Sequence, residues 1–106
     1  MFIAYQVSLD AIRCLGRVVS QIAARDVALA DQLRRAASSV PLNLAEGRRR
    51  RGADRTRFYR IAAGSAAEAV AALDVAIAWG HADAAALAEA RAALDRVLAL
   101  TWPLVK

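Results

Sequence analysis

The chain has 106 residues, 58% of them hydrophobic, and a formal net charge of +5. That length allows one domain with one modest core. Much of the apolar content is alanine, residues that favour strands are sparse, and Ala, Leu, Arg and Glu favour helix, so an all-α protein is expected and a sheet fold is excluded. A lone cysteine, Cys14, excludes an internal disulfide and reads as a small buried apolar residue in a reducing compartment.

Alanine-rich helices pack closely but bury little area each, so further burial between subunits is expected. The start, MFIAYQVSLDAIR, has no basic leader and no small-residue cleavage pattern, so no signal peptide is expected. No uncharged apolar run approaches the roughly 18 residues of a membrane span. A cytoplasmic protein without a membrane partner is the expectation.

In chain order, Ser8 is a candidate cap for a first helix over about 8–25, with an apolar stripe at Leu9, Ile12, Leu15, Gly16, Val19, Ile22 and Ala23. Asp26 is placed to cap a second helix over about 27–50. Its stripe is Leu29, Leu33, Ala36, Ala37, Val40 and Leu44, and Pro41 lies inside it. A proline removes one helical hydrogen bond and crowds the preceding turn. The register continues through Pro41, which favours a kinked continuous helix over a break.

Gly52 is the stop signal and Asp54 the next cap. A third helix is expected over 55–79, ending at Gly80, with Phe58, Ile61, Ala62, Ser65, Ala69, Ala72, Leu73 and Ala76 on its core side. The other side carries Ala63, Ala67, Ala71, Asp74 and Ala78, and a helix apolar nearly all round is buried all round. A homo-oligomer follows as an expectation; an alanine-coated solvent face is the alternative.

Asp83 caps a fourth helix over 83–101 that uses Leu87, Ala90, Leu94, Val97, Leu98 and Thr101; Pro103 ends it, and Trp102 is placed to cover the bundle end. Four amphipathic helices with short turns make an antiparallel up-down-up-down bundle filling a single domain, 1–106.

Charge is concentrated in one stretch. Residues 34–60 hold nine arginines against Glu46 and Asp54, a net +7, while the rest of the chain sums to −2. The same stretch contains Gln32-Leu33-Arg34-Arg35-Ala36 at its edge, then Ser39-Val40-Pro41-Leu42-Asn43-Leu44-Ala45-Glu46-Gly47, followed by Phe58 to Glu68 with Gly64-Ser65 inside. These three motifs, in this order and spacing, resemble the four-helix-bundle proteins of the 23S rRNA intervening-sequence family. The match covers about a third of the chain. Four consecutive arginines after Glu46-Gly47 are particular to this sequence.

The resemblance implies a left-handed up-down bundle whose subunits associate into a ring-like pentamer. It also implies kinship with the accessory protein of diversity-generating retroelements, which partners a reverse transcriptase and binds nucleic acid. No enzymatic activity and no cofactor are implied.

Two sets of residues stand out. Arg35, Ser39, Asn43 and Glu46 form a polar stripe on the second helix, placed to face Ser65 and Glu68 of the third. Arginine and carboxylate offer a forked pairing, and buried polar groups need partners, so the stripe reads as an internal network that fixes register and supports Pro41. Asn43 is also placed to satisfy a carbonyl freed by the proline.

Arg48, Arg49, Arg50, Arg51, Arg55, Arg57 and Arg60 form the second set. Arginine forks onto phosphate and stacks on bases, so these seven are the candidate nucleic-acid contacts; the bland reading is a solvated turn. Glu46 and Glu68 do not read as a catalytic pair, since a neighbouring arginine lowers rather than raises a carboxylate pKa. No Cys/His set suited to zinc, phosphate-cradling glycine loop or Ser/His/Asp set is present. The expected function is therefore a non-enzymatic accessory protein binding RNA or DNA. A scaffold for an acidic protein partner is the alternative.

Overall fold

A computed structural model describes residues 2–105. Four α-helices follow in order, α1 (Ile3–Ala23), α2 (Val27–Arg48), α3 (Gly52–Trp79) and α4 (Ala84–Thr101), and a 3-10 turn over Trp102–Val105 closes the chain. No strand occurs among the described residues. Helix α3 packs most extensively on α2, α1 lies against both α2 and α4, and α3 also touches α4, which is the packing of a bundle. At 1.5 Å per residue, α3 spans about 42 Å, matching the long dimension of the 42 × 23 × 19 Å molecule.

Local chemistry sets most boundaries. Asp26 accepts from the Leu29 amide at 3.0 Å, and Asp83 from that of Ala86 at 3.2 Å, so both act as N-caps as expected. Gly80 closes α3 in the left-handed region at φ +70°, where a side chain would be strained. Its amide donates to the Ile77 carbonyl, and the His81 amide reaches back to Ala76.

The first helix corrects the expected start. It begins at Ile3, and Ser8 is an interior residue, only 2% exposed, whose hydroxyl donates to the Tyr5 carbonyl at 2.7 Å. Ala4, Val7, Ala11, Leu15, Val18, Val19 and Ile22 are the buried stripe, so the apolar lead already belongs to the helix. Gly16, expected in that stripe, is exposed. Cys14, expected to be buried, is half-buried.

In α2 the expected stripe is buried throughout, and the helix runs unbroken through Pro41, itself buried. It stops at Arg48 rather than Arg50. Helix α3 then starts at Gly52, with Asp54 inside its first turn rather than capping it.

The core side of α3 is also turned from expectation. Ala62, Ala69, Ala72, Leu73 and Ala76 are buried as expected, but Tyr59, Ala63, Ala66 and Val70 join them, whereas Ile61 is exposed and Phe58 and Ser65 half-buried. Tyr59 is the aromatic that enters the core, because it meets α2 where Gly47 leaves room. A Cβ on Gly47 would lie 2.7 Å from two Tyr59 ring carbons.

The outer side of α3 carries Ile61, Val75 and Trp79, between 41% and 70% exposed, while Ile77 lies toward α4 beside Leu87 and Arg91. Helix α3 is also long and apolar enough to cross a membrane by length and composition, with Glu68 and Asp74 the charges in its apolar part. Its buried residues face the other helices, as those of a core helix do.

Contacts at the two ends fix which segments meet. Phe2, before α1, packs on Tyr59 of α3 and under Arg48 of α2. At the other end His81 lies 3.8 Å from Asp26, and the Asp83 amide donates to Gln21 at 3.1 Å. On the flank, Arg91 of α4 pairs with Asp74 of α3 and, at 3.2 Å, with Asp95. The hydrogen bond to Asp95 and the nearby Asp74 charge raise the Arg91 pKa above its ordinary value. In α4, Leu87, Ala90, Leu94, Val97 and Thr101 are buried as expected, while Trp102 remains about half exposed and Leu104 and Val105 pack on the core instead.

Candidate nucleic-acid interface

The polar stripe of α2 divides into separate pieces. Ser39 Oγ and Ser65 Oγ are 2.7 Å apart and link α2 to α3. The Asn43 amide donates to the Ser39 hydroxyl at 2.9 Å and to the Ser39 carbonyl at 2.8 Å. The carbonyl freed by Pro41 is that of Ala37, four residues earlier, so Asn43 serves a different one.

Arg35 does not join this set. It pairs with Asp31 at 3.4 Å on the surface, 77% exposed. Glu46 points the other way along α2 and pairs with Arg49 and Arg50, each at 3.5 Å. Arg35, Ser39, Ser65 and Glu68 do border one shallow polar recess of about 250 Å³, yet among the described residues no ion pair spans it. The internal part of the stripe is thus Ser39, Asn43 and Ser65. Arginine and carboxylate sit outside it because the helix surface places their long chains in water.

The seven arginines surround the turn between α2 and α3, and their surroundings sort them. Arg50 bridges Glu46 and Asp54, the latter at 3.0 Å, and Arg57 pairs with Asp54 at 3.3 Å. Both guanidinium groups also lie over Phe58, at 5.0 and 4.3 Å from the ring centre, so Phe58 is an arginine platform rather than a core residue. Arg49 has Glu46.

Arg55 does something different. Its Nε donates to the Gly47 carbonyl at 3.2 Å and its Nη2 to that of Arg48 at 3.0 Å, closing the end of α2 with a positive charge at the negative end of the helix dipole. Arg48 lies over Phe2 at 5.3 Å.

Among the described residues, Arg48, Arg51, Arg55 and Arg60 have no carboxylate partner, and all four are exposed. Seven arginines against Glu46 and Asp54 leave this end of the molecule at +5. Such a surface attracts anions over about a Debye length, ~8 Å at physiological salt. No group of three His, Cys, Asp or Glu side chains converges among the described residues.

Residues 2–102 match the family described as 23S rRNA-intervening sequence protein. The chain belongs to that family. A member of the S23 ribosomal protein family from Bacteroides thetaiotaomicron, described as a protein with unknown function and solved at 1.70 Å, has the same fold at 18% identity. The alignment covers 97% of this chain and 98% of that one, with a TM-score of 0.85. No curated protein sequence matches.

Within this intervening-sequence family member, three residues near the arginines escaped the sequence reading. Phe2 precedes α1 and falls in no motif. Gly47 carried no turn signal, and its role appears only when Tyr59 is seen against it. Tyr59 itself was passed over for Phe58. The available signal was positional, since Tyr59 and Ala62, Ala63 and Ala66 fall on one helical face.

Proposed function

We propose that this chain is a non-enzymatic, cytoplasmic accessory protein that binds RNA or DNA through phosphate contacts at the α2–α3 end, without a membrane partner. The observation that carries the reading is the group Arg48, Arg51, Arg55 and Arg60, exposed and without a carboxylate neighbour among the described residues. Unpaired guanidinium groups fork onto phosphate without first breaking an ion pair.

The subunit is an antiparallel up-down-up-down bundle with α2 bent at Pro41. The contacts of Phe2 with Tyr59, and of His81 with Asp26, support that order of ends. Copies assemble into a ring, a pentamer by family likeness, through the outer side of α3 where Ile61, Val75 and Trp79 are exposed. A ring repeats the arginine end around its axis and multiplies the field felt by a polyanion.

The test is titration of RNA and duplex DNA across salt, with the mass of the assembly measured on the same sample. Affinity falling steeply with salt supports the reading. Absence of binding at physiological salt, with a specific acidic protein or a reverse transcriptase co-purifying, overturns it in favour of a protein-interaction scaffold.

A further inference from the structure

We propose that a recess at the arginine end holds one unpaired nucleotide, so that the protein prefers single-stranded to duplex nucleic acid. The inference rests on the nucleic-acid reading above and narrows it. Phe2, Arg48, Arg55 and Tyr59 line a recess of about 350 Å³, within the range of small-ligand sites. Its walls offer the two chemistries a nucleotide needs, and no carboxylate lines it.

For the base, the Arg48 guanidinium carbon lies over the Phe2 ring, 5.3 Å from its centre, and the Tyr59 ring, tilted, lies 5.9 Å from that of Phe2. Aromatic rings and guanidinium planes are the surfaces on which splayed bases stack. For the phosphate, Arg55 is oriented before any ligand arrives. Its bonds to the Gly47 and Arg48 carbonyls fix the guanidinium and leave three of its five N–H donors free.

Tyr59 adds a polar edge. Its ring is largely buried, but its hydroxyl is not among the buried polar atoms left without a partner and lines the open recess. A phenol so placed is available to donate to, or accept from, a base or ribose edge. A duplex keeps its bases stacked inside and offers this recess only phosphate.

The test compares an oligouridylate of about 12 nucleotides, a length in the range that single-strand sites occupy, with a hairpin duplex of similar charge. The variants are Phe2→Leu, which keeps apolar volume but removes the π face, and Tyr59→Phe, which keeps the ring and removes the hydroxyl. Melting temperatures confirm that each variant is folded.

The expected result is tighter single-strand binding by the wild type, weakened about five- to tenfold by Phe2→Leu, with duplex affinity unchanged. An iodouridine probe should photo-cross-link to Phe2 or Tyr59. Equal affinity for strand and duplex, with both variants unaffected, overturns the recess while leaving the nucleic-acid reading standing. Loss of binding to both probes by the wild type overturns that reading and the recess together.

Titration with uridine monophosphate separates the two sources of the same chemistry. Phe2-dependent binding of the mononucleotide assigns the site to free nucleotide as well. Phe2-dependent binding of the oligonucleotide alone assigns it to the strand.

Discussion

At the scale of single residues, Gly47 and Ser39 matter more than the charged side chains beside them. Gly47 lets the Tyr59 ring approach the α2 backbone, and a methyl there would sit 2.7 Å from two ring carbons. Because Tyr59 is buried, the ring cannot simply swing away, so Gly47→Ala should destabilise the fold by about 1–3 kcal/mol, measured by denaturant unfolding. Ser39 bonds both Ser65 and Asn43. Ser39→Ala removes two partners at once and should cost about 1–2 kcal/mol. Arg35→Ala breaks only an exposed pair with Asp31 and should cost less than about 1 kcal/mol. A large loss from Arg35→Ala with none from Ser39→Ala would reverse this ranking. The sequence placed Arg35, Ser39, Asn43 and Glu46 on one stripe, which geometry supports. Which of them turn inward depends on side-chain length and on a neighbouring helix, and periodicity is blind to both.

At the scale of elements, the interiors of helices were legible and their ends only where chemistry marks them. Asp26, Asp83 and Gly80 act through their own side chains or backbone freedom and could be read directly. The start of α1 has no side-chain cap, so Ser8, a good capping residue by type, drew the boundary five residues late. The end of α2 is held from outside by Arg55, eight residues beyond the Gly47 carbonyl it binds, a link no local pattern contains. That link predicts a specific effect. Arg55→Ala should lower stability by about 0.5–1.5 kcal/mol and speed amide exchange at residues 49–52, while Arg51→Ala, whose side chain makes no cap hydrogen bond, leaves both unchanged. Equal exchange in the two variants would remove Arg55 from this role.

At the scale of the whole molecule, the charged end and the apolar side are separate features with separable consequences. The outer side of α3 exposes Ile61 at 41%, Val75 at 44% and Trp79 at 70%. If copies meet through this side, Val75→Asp should lower the sedimenting mass while the helical signal persists. An unchanged mass would count against this side as a contact between copies. The total charge was legible in the sequence, but its division was not. Seven arginines looked alike along the chain, and folding pairs Arg49, Arg50 and Arg57 with just Glu46 and Asp54.

That division offers the most direct test of nucleic-acid binding at this end of the bundle. Two variants of equal net charge are compared over a salt series, one with Arg48, Arg51 and Arg60 changed to serine, the other with Arg49, Arg50 and Arg57 changed to serine. The first set lacks carboxylate partners among the described residues and the second has them. If phosphates are held by the free guanidinium groups, the first variant loses affinity and its log–log salt slope falls by about two to three units, from roughly 0.7–0.9 per lost contact. The second keeps most of the slope. Equal losses in both variants, or wild-type binding by the first, would contradict the assignment.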